Sequence, residues 1–120
     1  MRRPSKVQTW NKLVRDRIPE IIKGAGRIPI LRTLDDDVEF IAALKLKLVE
    51  ETSELISAEG RDIAGEIADV LEVISTFCEA LGISQQEIDN VRSSKVEARG
   101  AFKDRVYLVE THDSATSSIS

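Results

Sequence analysis

The sequence has few of the features that define secreted and membrane proteins. Its 120 residues include one cysteine, Cys78, which excludes an intramolecular disulfide and is typical of a reducing cytosol. No apolar run approaches the roughly 20 residues needed to cross a bilayer, and residues 1–5 lack the apolar stretch of a signal peptide. We therefore expect a cytoplasmic protein with no membrane partner.

Basic surface and obvious nucleophiles are also scarce. The net charge is −4 and no basic stripe stands out, which argues against nucleic acid as a main partner. The only histidine, His112, falls in a stretch rich in Ser and Thr, and we find no convincing catalytic triad. Cys78 follows Phe77 close to an apolar helix face, so we expect it to be a small buried hydrophobe.

The composition that is present is that of a small folded protein. Apolar residues make up 42% of the chain and charged residues 32%, as in globular rather than disordered proteins. The length suits one domain with a modest core. We expect that domain to span residues 1–110, followed by a disordered tail over residues 111–120.

Apolar residues at helical spacing, bounded by Gly, Pro and acidic caps, predict an all-α fold. The second and third helices should pack as an antiparallel pair at the centre of a helical bundle, flanked by the other two. Two segments, 28–34 and 105–110, favour short strands, so a small β element is also expected. The first helix is predicted at residues 16–23, and the second begins in residues 35–37 and is stopped by Gly60. The third is predicted at about residues 62–81, and the fourth follows an N-cap at Ser84 and runs to about residue 99.

Two acidic couplets are placed symmetrically about Gly60. Glu51 and Glu54 precede it, and Glu66 and Asp69 follow it. The spacing within each couplet puts its two carboxylates on one helix face, one turn apart. If the chain reverses at Gly60, the couplets meet at matching depths along the two helices.

The helical pattern turns these acids inward. Glu51 fills a gap in the apolar stripe of the second helix, and Glu66 falls beside Val70 inside the apolar arc of the third, with Asp69 at its margin. Glu72 on the same helix points away. The alternative is that all are ordinary solvated acids, as most Glu residues are.

Four facing carboxylates repel one another unless a cation lies among them. Oxygen-only ligands suit a hard divalent ion, Mg²⁺ or Mn²⁺, rather than zinc. The pattern therefore predicts a metal site. Glu50, which directly precedes the first couplet, is either a further ligand or a surface acid.

The same residues carry a resemblance. Residues 50–54 (Glu-Glu-Thr-Ser-Glu), followed by residues 66–69 (Glu-Ile-Ala-Asp), resemble the EExxE…ExxD signature of the MazG-like superfamily of all-α nucleoside triphosphate pyrophosphatases. Residues 11–20 and 95–102 resemble segments of its phosphoribosyl-ATP-pyrophosphohydrolase-like, house-cleaning branch. The resemblance extends from residue 10 to about residue 109.

The resemblance implies Mg²⁺-dependent hydrolysis of a nucleoside triphosphate to the monophosphate and pyrophosphate, with Mn²⁺ able to substitute. Matched position by position, Glu51, Glu54, Glu66 and Asp69 would hold the metal and carry catalysis. One of these acids, or Glu50, would take the proton of the attacking water, and the sequence leaves open which. Two positions depart from the family pattern: Trp10, where tyrosine is expected, and Ala101, where glycine is usual.

A triphosphate also needs cations. Lys12 and Arg15 lie three residues apart in the first resembling segment, and Lys95 and Arg99 lie four apart on the predicted fourth helix. We expect these four residues to bind the substrate phosphates. The alternative for each is a solubilising surface charge. Further candidates are Arg17 and Arg105.

Two other functions stay open. One is hydrolysis of phosphoribosyl-ATP, and the other is a non-catalytic helical module that dimerises or binds a nucleotide without turnover. Inward carboxylates argue against a pure interaction role, because apolar residues would pack better there. Four short helices form a thin core, so we expect a homodimer or a higher homo-oligomer.

Overall fold

The computed structural model describes residues 6–115 and contains four helices in that range. They are α1 (Ile18–Gly24), α2 (Asp37–Ser57), α3 (Asp62–Leu81) and α4 (Gln85–Arg99). The prediction of an all-α fold is confirmed. Residues 1–5 and 116–120 lie outside the described residues, so the predicted tail is described only as far as residue 115.

The two predicted strands do not form within the described residues. Segments 28–34 and 105–110 are irregular, and Ile30 and Val106 are 93% and 86% exposed. Strand propensity reflects packing on a half-buried sheet rather than an intrinsic backbone preference. An isolated strand pair is also only marginally stable, which explains why these segments stay irregular.

The start of α2 follows from its acidic cap. The Asp36 side chain accepts a hydrogen bond from the backbone N–H of Val38 at 3.1 Å, which satisfies one of the unpaired donors of the first turn. Glu39 pairs with Arg32, so the Asp36–Glu39 spacing reflects an N-cap followed by an ion pair. The helix ends at Ser57, and Gly60, with φ +57°, lies in the short turn before α3.

Helices α2 and α3 pack together as the predicted antiparallel pair. Leu44 on α2 is 2% exposed and Val73 on α3 is 8% exposed, and these are the buried apolar residues of the described chain. The apolar repeat predicted as the packing seam of α3 is only partly covered. Val70 and Phe77 are half-buried, whereas several other members stay 40–48% exposed: Ile63, Ile67, Ile74 and Leu81.

Helix α3 ends in a glycine cap. Gly82 adopts a left-handed conformation with φ +70°, and the N–H of Ile83 donates to the Cys78 carbonyl at 2.9 Å, as in a Schellman motif. Cys78 is half-buried. The chain divides at this point into two compact units, the first ending at Ser84 and the second beginning at Gln85.

Helix α4 belongs to the second unit, and within it only Ile88 is half-buried. It ends at Arg99, followed by Gly100 with φ +80°. In the described part of the chain, no helix combines the length and apolarity needed to span a bilayer.

Candidate metal centre

Four acids of the first unit converge on one point. Each contributes one carboxylate oxygen, and these oxygens all lie within 4.8 Å of one another. Two of the acids lie on α2 and two on α3. They meet because the short turn at Gly60 brings the two couplets to equal depth along the paired helices. We call this group the acidic cluster; its members are Glu51, Glu54, Glu66 and Asp69.

The acidic cluster has a closed side and an open side. Glu51 is buried, Glu66 and Asp69 are half-buried, and Glu54 is exposed. The acidic cluster is therefore open to solvent at Glu54 and partly at Asp69, whose side chain is 38% exposed. A metal site that binds a substrate needs such an opening, because the ion must keep positions for water and phosphate.

Glu51 is the most unusual member of the cluster. Its exposure is 7%, and its Oε1 lies 3.3 Å from Lys47 Nζ. Its Oε2 is buried and accepts no hydrogen bond from any residue of 6–115. Burial raises the pKa of Glu51, repulsion from Glu54 and Asp69 adds to this, and Lys47 opposes it.

Glu66 repeats this feature on the facing helix. Its Oε2 is likewise buried, with no hydrogen-bond partner among the described residues. A buried acceptor without a partner carries a desolvation cost, and such atoms are rare in folded proteins. Each helix of the pair thus offers one unpartnered carboxylate oxygen. The alternative interpretation, that these acids are ordinary solvated charges, therefore does not explain Glu51 or Glu66.

The donor set fits a hard divalent cation. All donors are carboxylate oxygens from four residues, which is the chemistry that Mg²⁺ and Mn²⁺ prefer over zinc. A cation among them would satisfy the unpartnered oxygens of Glu51 and Glu66 and relieve the repulsion between the acids. The residues present therefore fit the predicted ion.

Glu50, which the sequence left open, lies outside the cluster. Its Oε2 accepts a hydrogen bond from Lys47 at 2.5 Å, and its Oε1 lies 3.2 Å from Lys12 Nζ. Hydrogen bonding to Lys47 lowers the pKa of Glu50, and Lys12 adds to the effect. Both of its oxygens are thus engaged by ammonium groups.

Lys47 is a residue of this site that sequence reasoning missed. Burial works to lower its pKa, but hydrogen bonds to Glu50 and Glu51 outweigh this and raise it. Lys47 precedes Glu50 by three residues and Glu51 by four, so on a helix it faces both. This spacing is the feature of the sequence that indicates a contact between Lys47 and these acids.

Two of the four cations predicted to bind phosphate contact acids of the α2–α3 pair. Arg15 Nη2 lies 2.7 Å from Asp69 Oδ1, and Lys12 pairs with Glu50. The Lys12 ammonium also lies 5.2 Å from the centre of the Trp10 ring, which is a cation–π distance. The N-terminal segment thus contacts acids of both α2 and α3.

The Arg15 backbone is held by the start of α1. Its carbonyl accepts a hydrogen bond from the N–H of Ile18 at 3.0 Å. Arg17, a further candidate, instead pairs with Glu20 at 2.5 Å, with both side chains largely exposed. Arg15 rather than Arg17 is therefore the arginine of this segment that contacts the acidic cluster.

The other two predicted cations, Lys95 and Arg99, lie on α4 in the second unit. Both are exposed, and their spacing places them one turn apart on the helix. Arg105 belongs to the same unit and has φ +60°. A role of these residues in substrate binding stays a prediction.

Comparison with known proteins adds one relative. A protein of Mycolicibacterium smegmatis, described as an uncharacterized protein, is 58% identical over 55 residues, which is 46% of this chain and 55% of the relative. The chain thus spans about half the length of the curated relative it matches. No family model matches the chain, and no solved structure matches it.

Proposed function

We propose that this protein is a Mg²⁺-dependent nucleoside triphosphate pyrophosphohydrolase that releases a nucleoside monophosphate and pyrophosphate. The observation that supports it most is the acidic cluster with one unpartnered, buried carboxylate oxygen on each helix, Glu51 Oε2 and Glu66 Oε2. Together with Glu50, its residues resemble the EExxE…ExxD pattern of the MazG-like superfamily. We assign the chain to that superfamily, and to its house-cleaning branch, as part of this proposal.

In the proposed reaction the cluster acids, Glu51, Glu54, Glu66 and Asp69, hold the ion. When bound, Mg²⁺ neutralises phosphate oxygens and lowers the pKa of a water molecule. Displacement at phosphorus needs positioning and charge neutralisation more than covalent chemistry. A nucleophilic side chain is therefore not required, and Mn²⁺ should substitute for Mg²⁺.

Lys12 and Arg15 are the substrate-binding candidates with the best support. Each already touches an acid at or beside the cluster, Glu50 at 3.2 Å and Asp69 at 2.7 Å. A phosphate chain entering from the exposed Glu54 side offers these cations a second anionic partner. We also propose Lys95 and Arg99 as phosphate ligands. If they have this role, neutralising both residues should raise KM for the nucleotide.

We also propose that two copies of the chain associate. The described chain buries few apolar residues, and α2 carries a second apolar stripe on a face away from α3: Val38, Leu46, Val49 and Ile56, all 64–80% exposed. A second copy would cover this stripe and the open side of the α3 repeat. Light scattering should give the mass of a dimer or higher oligomer, and a stable monomer would contradict this.

A cytoplasmic location completes the proposal, since one half-buried free cysteine suits a reducing compartment.

The decisive test is a nucleotide panel with Mg²⁺ that separates pyrophosphate release from orthophosphate release. In ¹⁸O-labelled water, attack at the α-phosphorus puts the label into the monophosphate. Glu66→Ala should abolish turnover, whereas Glu72→Ala, an exposed acid on the same helix, should leave it unchanged. Orthophosphate as the product, or wild-type activity of Glu66→Ala, would count against the assignment. Nucleotide binding without turnover would favour the non-catalytic module.

A further inference from the structure

We propose that Lys47 is a positioning residue of the metal centre. Its ammonium holds one oxygen of Glu51 and so leaves the other oxygen available to the cation. This inference rests on the part of the proposed function in which the acidic cluster binds a divalent ion. It does not depend on which nucleotide is used, or on whether turnover occurs.

Lys47 makes two short ion pairs in a largely enclosed position. Its Nζ lies 2.5 Å from Glu50 Oε2 and 3.3 Å from Glu51 Oε1. The side chains of Lys47 and Glu51 are only 14% and 10% exposed. Exposed ion pairs such as Arg17–Glu20, at 86% and 59%, contribute little and hold no fixed geometry. Lys47 is different because its side chain is enclosed.

The two oxygens of Glu51 are used differently. Oε1 contacts Lys47, whereas Oε2 is buried without a partner among residues 6–115. A lysine has donors only, so it orients the carboxylate without competing for the role of metal ligand. Carboxylates that bind metals are commonly held by such outer contacts, and losing one typically weakens metal binding by about 10- to 100-fold.

Lys47 is itself held from the other side. Glu50 accepts its hydrogen bond and also pairs with Lys12 of the N-terminal segment. The contacts therefore run from Lys12 through Glu50 and Lys47 to Glu51. In this arrangement Glu50 is neither a metal ligand nor a base. Its role is to hold Lys47 in place, and Lys47 in turn orients the metal ligand Glu51.

The test measures Mn²⁺ affinity without nucleotide, from the free-Mn²⁺ electron paramagnetic resonance signal, well below the unfolding temperature. Lys47→Met should weaken binding by about tenfold or more. Lys45→Met, at an exposed lysine of the same helix, should bind like the wild type. Lys47→Arg keeps cationic donors and should restore most of the affinity, which a purely structural loss would not predict.

The possible outcomes separate the two proposals. Unchanged or tighter Mn²⁺ binding by Lys47→Met with intact helicity would overturn the positioning role, and tighter binding would identify Lys47 as a competitor of the ion. Mn²⁺ bound without pyrophosphate release would overturn the proposed reaction alone. No Mn²⁺ binding by the wild type would overturn both. If Lys47→Met does not fold, Lys47→Gln decides in the same way, and wild-type affinity there overturns the inference.

Discussion

Replacement of Glu51 by glutamine changes one charge at the most buried position of the acidic cluster and leaves the side-chain size almost unchanged. Five carboxylates (the four cluster acids and Glu50) and three contacting cations (Lys12, Arg15 and Lys47) leave a net formal charge of −2. That charge matches one divalent ion. Glu51→Gln halves it and replaces an anionic ligand with a neutral one.

The size of the effect follows from the spacing of the acids. The cluster oxygens lie within 4.8 Å of one another, and two unit charges at this separation interact by about 3.5 kcal/mol at an effective dielectric constant of about 20. A divalent ion interacts about twice as strongly, about 7 kcal/mol, with a carboxylate at the same separation. This is an upper bound for the substitution, because the glutamine oxygen still offers a neutral ligand and charged groups close to the surface are screened by water. We expect Glu51→Gln to weaken metal binding by about 100-fold, which corresponds to about 2.7 kcal/mol.

Thermal unfolding followed by circular dichroism gives the readout. At about 100 times the wild-type Kd, Mn²⁺ should stabilise the wild type by about 2.7 kcal/mol. For a chain of 120 residues Tm shifts by about 4 °C per kcal/mol, so this raises Tm by about 11 °C. At the same concentration Glu51→Gln should gain only about 0.4 kcal/mol. Protein concentration must be held fixed, because association also shifts Tm.

A matched control separates the cluster from general charge effects. Glu72→Gln removes an exposed acid of α3 outside the cluster and should keep the full metal-induced shift. If Glu51→Gln also keeps the full shift, the buried carboxylate is not a ligand and the reasoning is refuted.

Three further predictions concern the same unit. With EDTA present to remove metal ions, burial keeps the pKa of Glu51 above that of an ordinary glutamate. This carboxyl therefore stabilises the fold fully below its unfolded-state pKa, and the contribution is lost as the pH rises through its folded-state pKa. The free energy of unfolding of Glu51→Gln relative to wild type, from urea denaturation, should therefore increase from about pH 4 to about pH 7, and a flat or falling difference would contradict this. Arg15→Gln should raise KM for the metal–nucleotide complex by about tenfold, through loss of a charge-assisted hydrogen bond; Arg17→Gln should not, and equal effects would remove Arg15 from the site. Leu44→Ala, at 2% exposure, should lower the free energy of unfolding by about 2–5 kcal/mol, and a loss near zero would mean that this core is not packed as described.

The meeting of the acids was predictable from sequence because it depends on two regularities. The helical period fixes which side chains share a face, and a short reversal at Gly60 fixes which turns lie opposite. The helix ends followed from local chemistry as well, as the Asp36 cap and the Gly82 cap show. These features need no information about distant residues.

The remaining features depend on contacts that no local pattern specifies. The Arg15–Asp69 pair joins residues 54 apart in the chain, and many other arginine–acid pairs were equally compatible with the sequence. The expected strands failed because strand propensity needs a partner surface. The apolar repeat of α3 was read correctly, but its period does not say how much of it a neighbouring helix covers.

Diffraction from crystals grown with Mn²⁺, collected for the anomalous signal of manganese, tests the metal centre most directly. We predict an anomalous peak among Glu51, Glu54, Glu66 and Asp69, with carboxylate oxygens about 2.1–2.3 Å from it, as for small hard cations. A map with saturating Mn²⁺ but no peak at these four residues would contradict the account.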